Sequence, residues 1–427
     1  LKLLQLFRPR EPAPPQLSVV MPTLNQAPFL AEAVASVLSQ GIESLELVVA
    51  DGGSTDGTLD ILAALGAAHP GRLRWASLPD AGPAQAVNAA VARCRGAVIG
   101  WLNSDDRYTP GALRRALEAF ARQPDAVLVY GEAEHIDAQG ARIGAYPTRG
   151  ASTPLAQWVE GCHICQPSAF FRRDVFVALG GLDTSLRAAF DYEFWLRLLK
   201  AHPGRIGFVP QVQAQSRLHA GAITLRFRER VAFEGMQVVH RHLGPAPAHW
   251  LLTHFAELQA GHPFEAETFD LVDRLQGLVR QAAGWLAADS VQALGAHIRD
   301  HRALQLARPG FFAALHADGW APPVLDLRLR QPAQPYSRLR LNCRHLSPRG
   351  GRLKLEVVTP DGEVLSIEAR RGAFTINLPL REQRPQARQI FRVVCQTPFM
   401  PAQCEAGSAD TRPLAFLVDG VHLAAAS

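Results

Sequence analysis

Three short acidic clusters in this 427-residue sequence combine residue types and spacing that could do chemistry. In Trp101-Leu102-Asn103-Ser104-Asp105-Asp106, two adjacent carboxylates close an apolar run. They repel each other unless a positive charge sits beside them, and a divalent cation bridging to a diphosphate answers that need. All-oxygen ligands of this kind suit Mg²⁺ or Mn²⁺. Alone, the same residues also read as a solvated turn. In Phe190-Asp191-Tyr192-Glu193-Phe194-Trp195-Leu196-Arg197, Phe190, Phe194 and Leu198 share a helical face and Asp191 starts the helix. An acid there is stabilised by the helix N-terminus; it is a general base if a pocket lies beside it, and an ordinary helix-start acid if none does. In Asp51-Gly52-Gly53-Ser54-Thr55-Asp56-Gly57-Thr58 the glycines permit a tight turn, and Ser54, Thr55 or Asp56 can cap a following helix. Asp51 could accept hydrogen bonds from a base or a ribose. No Gly-Lys-Ser/Thr follows, so this is not a P-loop.

The elements around these clusters must place them at one edge. Leu17–Met21, Leu45–Ala50, Leu73–Ser77 and Ala97–Leu102 read as strands. Phe29–Gln40, Thr58–Ala68 and Val87–Arg93 carry helical spacing. Strand and helix alternating at this cadence predict βαβ units and a mostly parallel sheet covered on both faces. Thr23 and Asn25, Asp51 to Asp56, and Asn103 to Asp106 then fall just after strands, where open α/β sheets bind ligands. Residues 226–315 read as helical, with no strand. From 316 onward short alternating runs (Leu339/Leu341/Cys343, Leu353/Leu355/Val357, Phe374/Ile376/Leu378) and the Pro360-Asp361-Gly362 turn predict a small antiparallel β-sandwich. The Arg and Lys residues alternating with Leu in 327–330 and 353–356 read as solvated strand faces.

Composition narrows the class. The 44 Lys+Arg against 39 Asp+Glu leave +5, with no basic run of the kind that marks a nucleic-acid arm. No stretch reaches the roughly 18 apolar residues of a spanning helix. Six cysteines are few for this length and suggest a reducing compartment, so a cytoplasmic location is expected. Leu1–Arg10 lacks a signal-peptide core, and a first residue other than Met suggests a piece of a longer protein.

Taken in order, Ser18–Asn25, Val48–Thr58 and Trp101–Asp106 resemble the family 2 glycosyltransferases. Asp80-Ala81-Gly82 through Asn88, Gln166-Pro167-Ser168, Gly181-Leu182-Asp183 and Asp191-Tyr192-Glu193 continue the likeness, over about half the chain. The resemblance implies the GT-A nucleotide-diphospho-sugar transferase fold over residues 16–225, and the patterning beyond it sets a helical connector over 226–315 and a β-sandwich accessory domain over 316–427. It implies an inverting single displacement from a nucleotide-sugar donor to a saccharide or lipid-linked saccharide acceptor in bacterial surface polysaccharide synthesis, at the inner face of the membrane. Peripheral membrane contact and self-association are compatible with it. Pro22, Thr23, Asn25, Asp51, Gln85, Asn88, Asn103, Ser104 and Asp105 would bind the nucleotide-sugar. Asp191 would be the base. Asp105, Asp106 and His219 would hold Mn²⁺ or Mg²⁺, and Gln166, Pro167 and Glu193 would face the acceptor. Asn103 stands where the family carries a first Asp. Cys162-His163-Ile164-Cys165 has CxxC spacing without a second pair, and is expected to line the acceptor side rather than hold zinc. The competing reading is a catalytically silent carbohydrate-binding or scaffold protein on the same fold.

Overall fold

Leu17, Val19, Val20 and Met21 have no exposed surface, and such a run is stable only as a strand covered on both faces. In the computed structural model it is β1 (Leu17–Thr23), at the centre of the first sheet. The structure describes residues 15–79, 82–259, 271–300, 310–313, 315–316, 318–331, 336–348, 350–382, 384, 387–405 and 407–425. Asp80 and Ala81 lie outside the described residues.

The first unit runs from α1 (Ala27–Leu38), β2 (Leu45–Asp51), α2 (Thr58–Ala68), β3 (Leu73–Ser77) and α3 (Pro83–Arg93) to β4 (Val98–Trp101). It continues through β5 (Arg107–Tyr108), α4 (Ala112–Arg122), β6 (Leu128–Ile136), β7 (Arg142–Ala145), β8 (Ala169–Arg172) and α5 (Arg173–Ala178). It ends with α6 (Phe190–Ala201), β9 (Ile206–Arg217), α7 (Ile223–Arg226) and α8 (Arg228–Leu243). The strand order is β3-β2-β1-β4-β8-β6-β9-β5, with β7 beside β6. The first four are parallel, as are β6 and β9, while β8 runs antiparallel between β4 and β6. This is the α/β architecture expected from the strand–helix alternation. Helix α1 turns Leu30, Val34, Val37 and Leu38 onto the sheet, each burial contributing about 1.5–3 kcal/mol.

The chain divides between Gly244 and Pro245. Helix α8 therefore belongs with the sheet, and the segment expected to be a single connector falls on both sides of the division. In the second unit α9 (His249–Gln259), α10 (Leu271–Ala282) and α11 (Ala288–Asp300) precede the strands. A strand, β10 (Gly310–Ala313), lies inside the segment expected to be wholly helical. It pairs with β11 (Val324–Arg330), whose ladder supplies the hydrogen bonds that the local sequence does not advertise. With β12 (Tyr336–His345), β13 (Leu353–Val358), β14 (Val364–Ala369), β15 (Gly372–Pro379), β16 (Arg388–Cys395) and β17 (Leu417–Ala425), two antiparallel sheets form, β10-β11-β16-β13-β14 and β15-β12-β17. Leu339, Leu341, Cys343, Leu353, Leu355 and Val357 are buried, as the alternation requires. Arg328 is 6% exposed, so that position is not the solvated face it resembled in sequence.

Candidate functional site

Parallel register brings strand ends together. Thr23 pairs with Asp51, Asp51 with Ser77, and Val20 with Trp101, so four carboxyl ends meet at one edge. The loops there are bound to one another. Asn25 takes a left-handed φ of 52°, alone among the described non-glycine residues, a conformation Asn tolerates better than most. Its N–H donates to Ser54 Oγ at 2.7 Å, and its side-chain oxygen accepts from the Thr55 N–H at 2.8 Å. Asp51 accepts from the N–H groups of Gly53 and Ser54 at 3.0 Å, from Ser54 Oγ at 2.5 Å and from Ser77 Oγ at 2.6 Å. Burial pushes its carboxyl upward, but these donors outweigh it and hold the group below the usual carboxylate range. Asp51 closes its own loop, and neither it nor Asn25 lines the cleft beside them.

That cleft has a volume of about 360 Å³ and is bordered by Pro22, Thr23, Asn103, Ser104, Asp105 and Phe190. Thr23 Oγ1 is buried there without a hydrogen-bond partner among the described residues, a polar atom waiting for one. Gly82 lies on the border with φ of 133°, and a Cβ on it would meet Arg187 Nη1 at 2.6 Å. The positive φ favours glycine there, and the exposed Arg187 side chain lies beside this point of the border. Arg226, also on the border, lies over the Phe227 ring at 5.1 Å.

The Asn103–Asp106 turn is a hydrogen-bond hub. Asn103 Nδ2 donates to Gln166 Oε1 at 2.8 Å and to Asp106 Oδ2 at 3.3 Å, and Trp101 Nε1 donates to Asn103 Oδ1 at 3.1 Å. A carboxylate at 103 could make neither donation and would repel Asp106. Asp106 itself turns inward and accepts the Arg217 N–H at 2.8 Å. Burial, then the neighbouring Asp105, raises its carboxyl well above the ordinary value. Arg217 is 3% exposed and donates to the Asp105 carbonyl at 2.7 Å and to Glu32 at 2.6 Å. Its guanidinium lies 4.9 Å over the Phe29 ring. Sequence reading missed this arginine as the anchor of the acidic turn; its only signal was adjacency to Leu218-His219.

His219 Nε2 stands 3.0 Å from Asp105 Oδ2, while the Gly221 N–H donates to Nδ1 at 3.3 Å. Among the described residues no group of three or more His, Cys, Asp or Glu is arranged to hold a metal. The expected trio is not such a group: Asp106 borders the cleft beside Asp105, but its Oδ1 is taken by the Arg217 N–H. The cleft-lining Asp105 and the adjacent His219 remain. They fit a cation that draws its other ligands from water and a diphosphate, as Mg²⁺ commonly does.

Asp191 begins α6, half-buried, its Oδ1 accepting the Tyr192 N–H at 2.7 Å. Burial raises its carboxyl to about 6, partly offset by that N–H. Phe190, the residue before it, lines the cleft and stacks on Trp101 with ring centroids 5.8 Å apart. Burial and the nearby Asp191 charge both push the Cys162 thiol up. For the Cys165 thiol, burial acts with the charges of Asp106 and Asp191, so this cysteine is in electrostatic reach of both acids. Both cysteines are free thiols.

Several expected ligand-binding residues are placed elsewhere. Asn88 spends its amide on the Leu182 backbone, donating at 2.9 Å and accepting at 2.8 Å, and does not border the cleft. Gln85 is exposed on α3, off the cleft border. Gln166 and Pro167 are buried, Gln166 donating to the Trp101 carbonyl at 2.5 Å. Glu193, expected on the acceptor side, is buried. Two residues past Asp191 it is turned about 200° around the helix, where Arg197 Nη2 meets it at 2.7 Å and His242 Nε2 at 3.0 Å. Burial opposes its charge, yet these two partners hold it below its ordinary value.

The model for "Glycosyl transferase family 2" matches residues 18–180. A chondroitin synthase from Escherichia coli is 33% identical over 191 residues, which cover 44% of this chain and 27% of that protein. An O-antigen biosynthesis protein, RfbC, from Myxococcus xanthus is 31% identical over 189 residues, 44% of this chain and 15% of that protein. This chain therefore spans less than a third of either relative. TarS from S. aureus, solved in complex with UDP, superposes with a TM-score of 0.47 at 16% identity, covering 66% of this chain and 87% of that one. No described helix is long and apolar enough to cross a membrane. With the ordered motifs, the strand-end cleft and the family match in agreement, the chain carries a family 2 glycosyltransferase domain over residues 18–180.

Proposed function

We propose that the first unit transfers a sugar from a nucleoside-diphosphate sugar to a hydroxyl of a saccharide acceptor, with inversion, during assembly of a bacterial surface polysaccharide. The observation that carries this reading is the raised, half-buried Asp191, next in sequence to a residue of the cleft that Asp105 also lines. A base whose carboxyl titrates near 6 is ionised at neutral pH and still a competent proton acceptor. The acceptor hydroxyl gives its proton to Asp191 while its oxygen forms the bond to the anomeric carbon. The bond from that carbon to the diphosphate oxygen breaks on the opposite face, and the nucleoside diphosphate leaves.

Thr23 Oγ1 and the Pro22 edge fit the nucleotide, and Asp51 and Asn25 keep that edge rigid. Arg187 and Arg226 supply positive charge at the rim. A divalent cation on Asp105, with His219 beside it, would neutralise charge building on the departing diphosphate. The curated relatives, a chondroitin synthase and an O-antigen biosynthesis protein, support a polysaccharide acceptor. In this reading the second unit's β-sandwich holds the growing glycan or mediates assembly. A screen of uridine, guanosine and thymidine diphospho-sugars for nucleotide release, with Mn²⁺ and with chelator, tests the proposal. Release from one donor class that falls on chelation supports it; undiminished turnover in chelator removes the metal from the mechanism.

A further inference from the structure

We infer that Glu234 of α8 is a positioning residue for Asp191: its carboxylate closes the start of α6 from a neighbouring helix and so fixes where the base stands against the cleft. The first N–H groups of any helix lack internal partners, and most helices cover them with a Ser, Thr, Asp or Asn cap. Helix α6 begins after Ala189, which has no side chain to do this. Glu234 instead holds the lead-in to the helix: its Oε2 accepts the N–H groups of Arg187 at 2.9 Å and Ala188 at 2.7 Å, which precede α6, and of Ala189, its N-cap residue, at 3.0 Å, while Oε1 shares the Arg187 N–H at 3.0 Å. Three consecutive amides on one carboxylate pin the segment that leads into Phe190 and Asp191.

Other contacts of α8 reinforce the same join. His242 meets Glu193 at 3.0 Å, Arg241 meets Asp183 at 2.7 Å, and Lys200 donates to the His242 carbonyl at 2.8 Å. Both Asp191 and α8 lie beyond the residues matched by the family model, which end at 180. Helix α8 is thus part of the catalytic unit and not a connector. The role assigned to Glu234 rests on the reading of Asp191 as the base.

The test compares the full chain with Glu234→Ala and Glu234→Gln. Glutamine keeps an acceptor oxygen where Oε2 stands and loses the charge; alanine loses the acceptor altogether. In Glu234→Ala, kcat is expected to fall at least about tenfold while the donor KM stays within about threefold, because misplacing a base by an ångström lowers rate more than binding. The acid limb of the rate profile is expected to move to lower pH as Asp191 becomes better hydrated. Asp191 is within electrostatic reach of Tyr146, Cys162 and Cys165, all of which burial keeps protonated. Glu234→Gln is expected to restore most of kcat. Hydrogen exchange at amides 187–189 supplies a readout independent of turnover, with protection lost in the alanine variant. Unchanged protection overturns the cap, and lost protection with an unchanged kcat and pH limb overturns the positioning role. If the wild-type chain turns over no donor, the functional reading falls by itself, and unchanged exchange still overturns the cap.

Discussion

The indole of Trp101 stacks on Phe190 with 5.8 Å between centroids and 23° between planes, joining the end of β4 to the start of α6. Through this one contact the acidic turn at 103–106 and the proposed base at 191 share a support. Trp101 also donates to Asn103, so it touches both halves of the site. Trp101→Phe keeps a ring for the stack but loses the indole N–H and part of the buried ring volume. It is expected to cost about 1–2 kcal/mol and leave most activity. Trp101→Ala is expected to cost about 3–5 kcal/mol. Chemical denaturation read beside kcat separates the two; equal loss in both variants would contradict the shared support.

Asp191 makes the pH behaviour directional. Its carboxyl titrates near 6 in the folded chain and near 3.9 when unfolded. As a base it must be ionised, so activity is expected to be full above pH 6 and to fall below it. For stability the sign is opposite. Between about pH 4 and 6 the unfolded chain has lost a proton that the folded chain keeps, and stability falls as pH rises through that window. Asp191→Asn removes this dependence and is expected to be more stable than wild type at pH 7 by about 1–2 kcal/mol after allowance for partial exposure. Denaturation of both proteins at pH 4, 5, 6 and 7 checks it, and a constant difference across the series would sink the assignment.

Asp51 behaves the other way. Its carboxyl is held below the ordinary range, so its contribution to stability is present above about pH 4 and lost as pH falls through the folded value. Asp51→Ala strands Ser54 and Ser77 as donors and is expected to cost about 2–4 kcal/mol at neutral pH. It is also expected to weaken nucleotide binding, since the loop it ties is bonded to Asn25 and to Gln26, and Gln26 lines the cleft. Nucleotide affinity equal to wild type in a folded Asp51→Ala protein would mean the loop does not shape the site.

Asn103→Asp tests why an amide stands in the acidic turn. The new carboxylate replaces a donor 3.3 Å from Asp106 and 2.8 Å from Gln166. Without a divalent cation the variant is expected to lose about 1–3 kcal/mol. Mn²⁺ should recover part of it, and bind the variant more tightly than wild type in a calorimetric titration. A melting temperature indifferent to both substitution and metal would show that the amide is not balancing charge there.

Much of the first unit was legible in sequence because parallel strands buried on both faces leave unbroken apolar runs, as in Leu17–Met21 and Val98–Trp101. The acidic turn and the start of α6 were legible because carboxylates beside buried elements are costly and stand out. What could not be read was which way each polar side chain turns. Glu193 and Asp191 lie two residues apart, yet one is spent on Arg197 and His242 while the other is next to a cleft-lining residue. Asn88 looked like a ligand-binding amide until its backbone partner at Leu182, far along the chain, came into view. Arg217 and Glu234 were missed for the same reason: their partners are long-range, and nothing local marks them. The strand at 310–313 was missed because its ladder partner lies on β11.

Asp191 is the proposed base for sugar transfer from a nucleoside-diphosphate sugar bound in the cleft. Its most direct test measures donor affinity and glycosyl transfer side by side for wild type and Asp191→Asn. The account predicts a donor bound within about threefold of wild type and transfer slowed at least about a hundredfold, the scale of losing a general base. Transfer by Asp191→Asn at the wild-type rate would contradict it.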